Sequence, residues 1–231
     1  MGSLGNWLRQ RRIRKEHHRT LGLLFKKLVD PMYLPSHAEL EMLSDDSDRW
    51  IRFLTHDIHR PIYELWSREV VDTLAQYICD RFSDASVESP VRILEVGAGD
   101  GRLAHFLQLK LRELRPDAFQ MFATDSGAFE YKPLVHVEKM SAKDAVVFYE
   151  PQLVIASWMP ANQDWTGDFE RALSVQEFIL IGPEVDRKHT RTSNFNAQPL
   201  DEVTHWLISR MTPTKENLSK AVSYRRKDVS I

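Results

Sequence analysis

The chain has 231 residues, 42% hydrophobic and 28% charged, which suits one generous globular domain or one domain carrying an extension. Its 31 Lys and Arg against 33 Asp and Glu give a formal net charge of −2, which excludes a nucleic acid or an anionic membrane as the evident partner of the whole chain but leaves room for a local basic patch. The single cysteine, Cys79, excludes an internal disulfide, and no run approaches the roughly 18 consecutive apolar residues of a membrane span, so a soluble, intracellular protein is expected.

The segment from Met1 to Val29 stands apart. In it Arg9, Arg11, Arg12, Arg14, Lys15, Arg19, Lys26 and Lys27 face Glu16 as the only acid. Trp7, Leu8, Ile13, Leu21, Leu24, Phe25 and Leu28 are interleaved with them. Three readings stay open: a solvated helical extension that docks its apolar face on the domain, a mitochondrial-type presequence, or a contact surface for RNA or another acidic partner. The start MGSLGN lacks the Ser or Thr of a myristoylation signal.

An acidic connection with Pro31 and Pro35 follows. Its Asp45, Asp46 and Asp48 lack the glycine and distal glutamate of a calcium loop and read as helix-capping and loop residues. His56 and His59 lie three apart, with no further histidine or cysteine nearby to complete a ligand set, so no metal is expected. Pro61 is placed to open a long amphipathic helix running to Phe82. Residues 1–60 are therefore expected as a basic helical extension and linker, and residues 61–231 as the main domain.

From Val91 apolar runs alternate with helical patterns. VRILEVG, FQMFATD, LVHVEKM, PQLVIASW and FILIG read as strands, and GRLAHFLQLKLREL and TGDFERAL as helices. Continuous apolar strands separated by helices imply an α/β fold, a mostly parallel, doubly wound sheet covered on both faces. VTHWLISRM and KAVSYRRK read as two further strands forming an antiparallel edge hairpin.

The stretch ILEVGAGDGRLAHFL places three glycines within five positions after the first of these strands. Such a turn aims backbone N–H groups at a ligand at the strand's carboxyl end. GDGRLA also satisfies the dinucleotide pattern G-x-G-x-x-A. Asp100, however, would oppose a pyrophosphate at close range, and Gly97 and Ala98 intervene before Gly99. A cationic ligand suits the loop better than a nicotinamide dinucleotide.

Glu95-Val96-Gly97-Ala98-Gly99-Asp100-Gly101 resembles the first motif, E-x-G-x-G-x-G, of class I S-adenosylmethionine-dependent methyltransferases, and the likeness spans roughly Val91 to Gly182. The resemblance implies a seven-stranded Rossmann-like sheet with an antiparallel last strand and S-adenosyl-L-methionine as cofactor. It puts Glu95, Gly97, Ala98, Gly99 and Gly101 at the methionine end and Asp125 on the ribose hydroxyls. Met140, Ser141 and Ala142 fall near the adenine, with Asp144 either sharing that contact or capping a helix. Ser157 and Trp158 fall beside the transferred methyl. Ser157-Trp158-Met159-Pro160 departs from the N-P-P-Y tetrapeptide of enzymes acting on adenine or glutamine nitrogens. Trp158 has two readings, a wall of the substrate pocket and a core residue. If a base is needed, Asp164, Glu184, His189 and His205 are candidates, and His59, Tyr63 and Trp66 are placed to form a lid. The methyl acceptor is unidentified, with protein, RNA and small molecules all open. A methyltransferase-like binding or assembly subunit without activity is the alternative, its partner contacted through the basic arm.

Overall fold

The structure, a computed structural model, describes residues 19–30, 32–44, 50, 53–54, 62–127, 133, 136–160, 162–183, 194–212 and 218–227. The expectations placed on residues 1–18, on Asp45, Asp46 and Asp48, on His56, His59 and Pro61, and on Glu184 and His189 lie outside the described residues.

The strands, in chain order, are β1 (Glu64–Leu65), β2 (Val91–Val96), β3 (Phe119–Asp125), β4 (Glu138–Lys139), β5 (Leu153–Ser157), β6 (Glu177–Gly182), β7 (Phe195–Pro199), β8 (Ile208–Ser209) and β9 (Lys220–Arg226). Seven form one sheet in the order β4-β3-β2-β5-β6-β9-β7. β2, β3, β4, β5 and β6 run parallel, whereas β9 is antiparallel to both β6 and β7. β1 and β8 pair in a separate antiparallel ribbon. The central parallel strands β5 and β6 are nearly continuous apolar runs because helices cover both faces, and they expose almost nothing.

Two clusters of buried side chains lie on the two sides of the sheet. One is built on the helices Arg68–Arg81 and Arg102–Leu114 with Ile93, Leu153, Ile155 and Ile179, the other on Ala142–Tyr149 and Thr166–Arg171 with Leu94, Val96, Val154 and Phe178. In the buried sheet Glu177 is held by Tyr77 Oη (2.5 Å), Arg81 Nε (2.8 Å) and Ser223 Oγ (2.7 Å), so a fully buried carboxyl group is satisfied by donors from a helix and from β9.

A third cluster joins the N-terminal part to the sheet domain across residue 60. Residues 19–29 are helical, with Leu21, Leu24, Phe25 and Leu28 buried and Lys26 and Lys27 exposed, the spacing of one apolar helix face. They pack with Leu40, Leu43, Trp50 and Phe53 onto Leu65 of β1 and Ile208 of β8. No helix among the described residues is long and apolar enough to cross a membrane.

Three sequence expectations change. The helix expected from Pro61 begins instead at Arg68, capped by Ser67, whose Oγ accepts the Val70 N–H at 3.2 Å. Tyr63 to Trp66 are drawn out of it because β1 pairs with β8, more than a hundred residues away in sequence. VTHWLISRM is not a strand: Asp201–His205 is a short helix with two acids in its first turn, followed by β8. The antiparallel partner at the sheet's edge is FNAQP of β7. LVHVEKM contributes only β4, held to β3 at Thr124 and Asp125. Ser67→Ala should cost about 1 kcal/mol, the usual value of an N-cap, seen as a lowered urea midpoint with unchanged slope. No change would place the helix start elsewhere.

Candidate functional site

β2 connects through its helix to β3 on one side and neighbours β5 on the other, so the chain's winding reverses between β2 and β5. In open α/β sheets the carboxyl ends of two such strands part and leave a crevice. Here that crevice is a cavity of about 450 Å³. Gly97, Ala98, Gly99 and Asp100 after β2, Asp125 and Ser126 at β3, Met140, Ser141 and Ala142 after β4, and Ser157, Trp158 and Pro160 after β5 all line it.

The glycine loop has a physical reason for its composition. Gly97 has φ +65°, and a Cβ there would stand 2.9 Å from the Trp165 ring. Gly99 has φ +57°, and a Cβ there would meet nothing within 4 Å. The first glycine makes room for an indole; the second leaves its open side for a ligand. Gly101 does not line the cavity. It is the N-cap of the helix Arg102–Leu114 and brings no side-chain cap, and Glu95 of β2 supplies one instead, its Oε2 accepting the Ala104 N–H at 2.9 Å.

Asp125 ties the loop to β3. Its Oδ2 accepts the Gly99 N–H at 3.0 Å and its Oδ1 the Gly127 N–H at 2.8 Å, and each oxygen keeps a second lone pair. Asp100 pairs with Arg102 Nε at 3.1 Å. Glu95, only 3% exposed, has its carboxyl pushed up to about 8 by burial, eased by the Ala104 N–H and reinforced by repulsion from Asp100 and Asp125. Three acidic side chains thus line one cavity wall, Glu95 among them as a carboxyl that burial keeps protonated near neutrality.

Other elements close the far side. Leu28, Tyr33, Leu34 and Pro35 from the N-terminal part and Tyr63, Glu64, Leu65 and Trp66 from around β1 line the cavity as well. Trp158 has φ +54°, unusual for a bulky residue. It is held there by its N–H on the Ile181 carbonyl (2.8 Å), its Nε1 on Glu64 Oε2 (2.7 Å) and the Tyr63 ring at 5.2 Å. Trp158 therefore belongs to the cavity wall and not to either core cluster.

Asp164 is not among the cavity's lining residues. It is exposed, and its Oδ1 takes the Thr166 N–H at 3.0 Å and the Thr166 hydroxyl at 2.6 Å, a local turn just ahead of the helix Thr166–Arg171. Asp144 lies in the first turn of the helix Ala142–Tyr149: Ser141 Oγ accepts its N–H at 3.1 Å and donates to its carboxylate at 2.7 Å, and it does not line the cavity. His205 lies beside His37 and Trp206 and does not line it either.

Glu64, Arg102 and Trp165 also line the cavity, and the sequence did not mark them as site residues. Trp165 and Gln163 carried a signal in lying just past β5, the strand whose end faces the crevice. Glu64 carried none, because its place depends on pairing with Ser209.

No family model matches the chain, and no curated protein does. Solved structures do. The chain is similar to the CurJ carbon methyltransferase (11% identity over 97% of this chain and 71% of that one, TM-score 0.48). It is also similar to the 23S rRNA methyltransferase ErmE (15%, 70% and 69%, TM-score 0.40) and to an S-adenosylmethionine-dependent O-methyltransferase of Thermotoga maritima (10%, 76% and 71%, TM-score 0.41). The fold itself is an α/β sheet of seven strands, mostly parallel and closed by an antiparallel pair.

Proposed function

We propose that the chain binds S-adenosylmethionine in this cavity and transfers its methyl group to an acceptor. The observation that carries the reading is Asp125 at the end of β3, facing a glycine loop whose open side is Gly99, with Asp100 beside it. Acidic groups at the loop oppose a pyrophosphate, and Arg102, the only cationic residue among the described lining residues, is itself paired with Asp100. Bound there, S-adenosylmethionine supplies an electrophilic methyl on a sulfonium. Asp125, with a lone pair free on each oxygen, is the acceptor for vicinal hydroxyls. Met140, Ser141 and Ala142 offer a mixed edge for a base, and Gly97 to Gly99 hold the amino acid end. The ring of Trp158 walls the side facing the acceptor, where positioning does much of the work of an in-line displacement.

The experiment is a thermal melt with S-adenosylmethionine, S-adenosylhomocysteine and NAD in parallel, followed by incubation with methyl-labelled donor and fractionated lysate. Both adenosyl ligands should raise the midpoint at submillimolar concentration and NAD should not. Stabilisation by NAD alone would reject the assignment.

A further inference from the structure

One group in the cavity has no part in the reading above. Glu64, on β1, lines the cavity yet is 7% exposed. Its Oε2 accepts two hydrogen bonds, from Trp158 Nε1 at 2.7 Å and from Ser219 Oγ at 2.6 Å. Its Oε1 is buried and meets no hydrogen-bond partner among the described residues. Burial pushes the carboxyl up to about 7 against the pull of those two donors. A buried carboxylate is costly unless a donor completes it, and half of this one is incomplete.

The surroundings say what kind of donor fits. The Trp158 indole that donates to Glu64 lines the cavity along with Trp66 and Tyr63; the Tyr63 ring is tilted against Trp158 at 5.2 Å and already carries the Arg210 guanidinium at 5.0 Å. Aromatic faces next to a carboxylate favour an organic cation and disfavour an anion. Resting on the methyl-donor reading of the same cavity, we infer that the methyl acceptor is an amine, held as its ammonium between Glu64 and the face of Trp158, and that Glu64 takes its proton before transfer.

The chemistry balances with these groups alone. The ammonium passes one proton to the Glu64 carboxylate and becomes a neutral amine. The nitrogen lone pair then forms the N–C bond to the methyl carbon while the C–S bond breaks, its electron pair passing to sulfur and cancelling the sulfonium charge. The methylated ammonium leaves, and Glu64 returns its proton to water. A carboxyl that titrates near neutrality is matched to that exchange, since it is a carboxylate often enough to accept and acidic enough to release.

Sinefungin tests the inference without knowledge of the acceptor, because it carries an amine where S-adenosylmethionine carries the methylsulfonium. By calorimetry the wild type should bind sinefungin at least tenfold more tightly than S-adenosylhomocysteine. Glu64→Gln, which keeps an oxygen for Trp158 and Ser219 but no charge, should remove that preference and leave S-adenosylhomocysteine affinity within about threefold. An unchanged preference in Glu64→Gln overturns the inference and leaves the donor site standing. Failure of the wild type to bind S-adenosylhomocysteine at all overturns both. A second measurement needs no variant: in two buffers of different ionisation enthalpy at neutral pH, sinefungin should release more protons on binding than S-adenosylhomocysteine does, because a cation beside Glu64 favours its carboxylate. Equal proton counts overturn the inference.

Discussion

Asp125→Ala should weaken S-adenosylmethionine binding at least tenfold, measured by calorimetry on protein whose melting curve remains cooperative. The substitution removes two things at once. It deletes the oxygens placed for hydroxyl groups, and it releases the N–H groups of Gly99 and Gly127 that Asp125 now holds at 3.0 and 2.8 Å. Asp125→Asn separates the two, since its amide keeps one acceptor oxygen for the loop and loses the charge; it should fall between alanine and wild type. Gly99→Arg should lose as much affinity by a different route. A Cβ at Gly99 meets nothing, so the arginine reaches into the open space and brings a cation to a site arranged for one. Full affinity in both Asp125→Ala and Gly99→Arg would sink the site assignment.

The second expected result is a stability that falls as pH rises. Glu95 and Glu64 are acids pushed up by burial, to about 8 and about 7 from an ordinary 4.5. The fold therefore holds their protons more tightly than the unfolded chain does. Below pH 4.5 both states are protonated and the two groups are neutral in their effect. Between pH 4.5 and 8 the unfolded chain ionises first, and stability declines until the folded carboxyls have ionised as well. Each tenfold difference in proton affinity is about 1.4 kcal/mol, so the pair together costs the fold on the order of several kcal/mol at the alkaline end. Urea midpoints of the ligand-free protein should be higher at pH 5.5 than at pH 8.5. Glu95→Gln should flatten the decline, and a cationic ligand should oppose it by stabilising the ionised carboxylates. A midpoint that climbs from pH 5.5 to 8.5 would show that these groups do not hold protons in the fold. Glu39 works the other way: its desolvation is outweighed by hydrogen bonds from Tyr33 and Ser36 and by Arg68, so it loses stabilisation as the pH falls through its lowered range.

The sheet was legible in the sequence wherever a strand is buried on both faces. β5 and β6 are short, mostly apolar and almost wholly buried runs, and β2 carries the same signal broken only by Arg92 and Glu95. The glycine loop was legible for the same local reason, since three glycines between strand and helix have few other uses. What stayed hidden was set by contacts distant in sequence. Tyr63 to Trp66 carry a helical pattern in isolation, and only Ile208 and Ser209 turn Glu64 and Leu65 into a strand. FNAQP shows four of its five residues to solvent and has no apolar alternation to announce β7. The surroundings of Asp164 were not legible either, because its bond with the Thr166 hydroxyl depends on a rotamer that the sequence does not orient.

The ribbon of β1 and β8 also bears on when the site exists. Sheet strands β2 to β6 are complete once residue 182 has been made, but the wall opposite the glycine loop is not. Glu64 waits for Ser209 as its strand neighbour and for Ser219 as its hydrogen-bond donor, and Leu65 waits for Ile208 to close the cluster over residues 19–44. During synthesis the wall that Glu64 and Leu65 contribute stays incomplete until Ile208, Ser209 and Ser219 have been made. A nascent chain can hold a finished glycine loop and an unfinished pocket, so ligand binding reports that β1 has met β8.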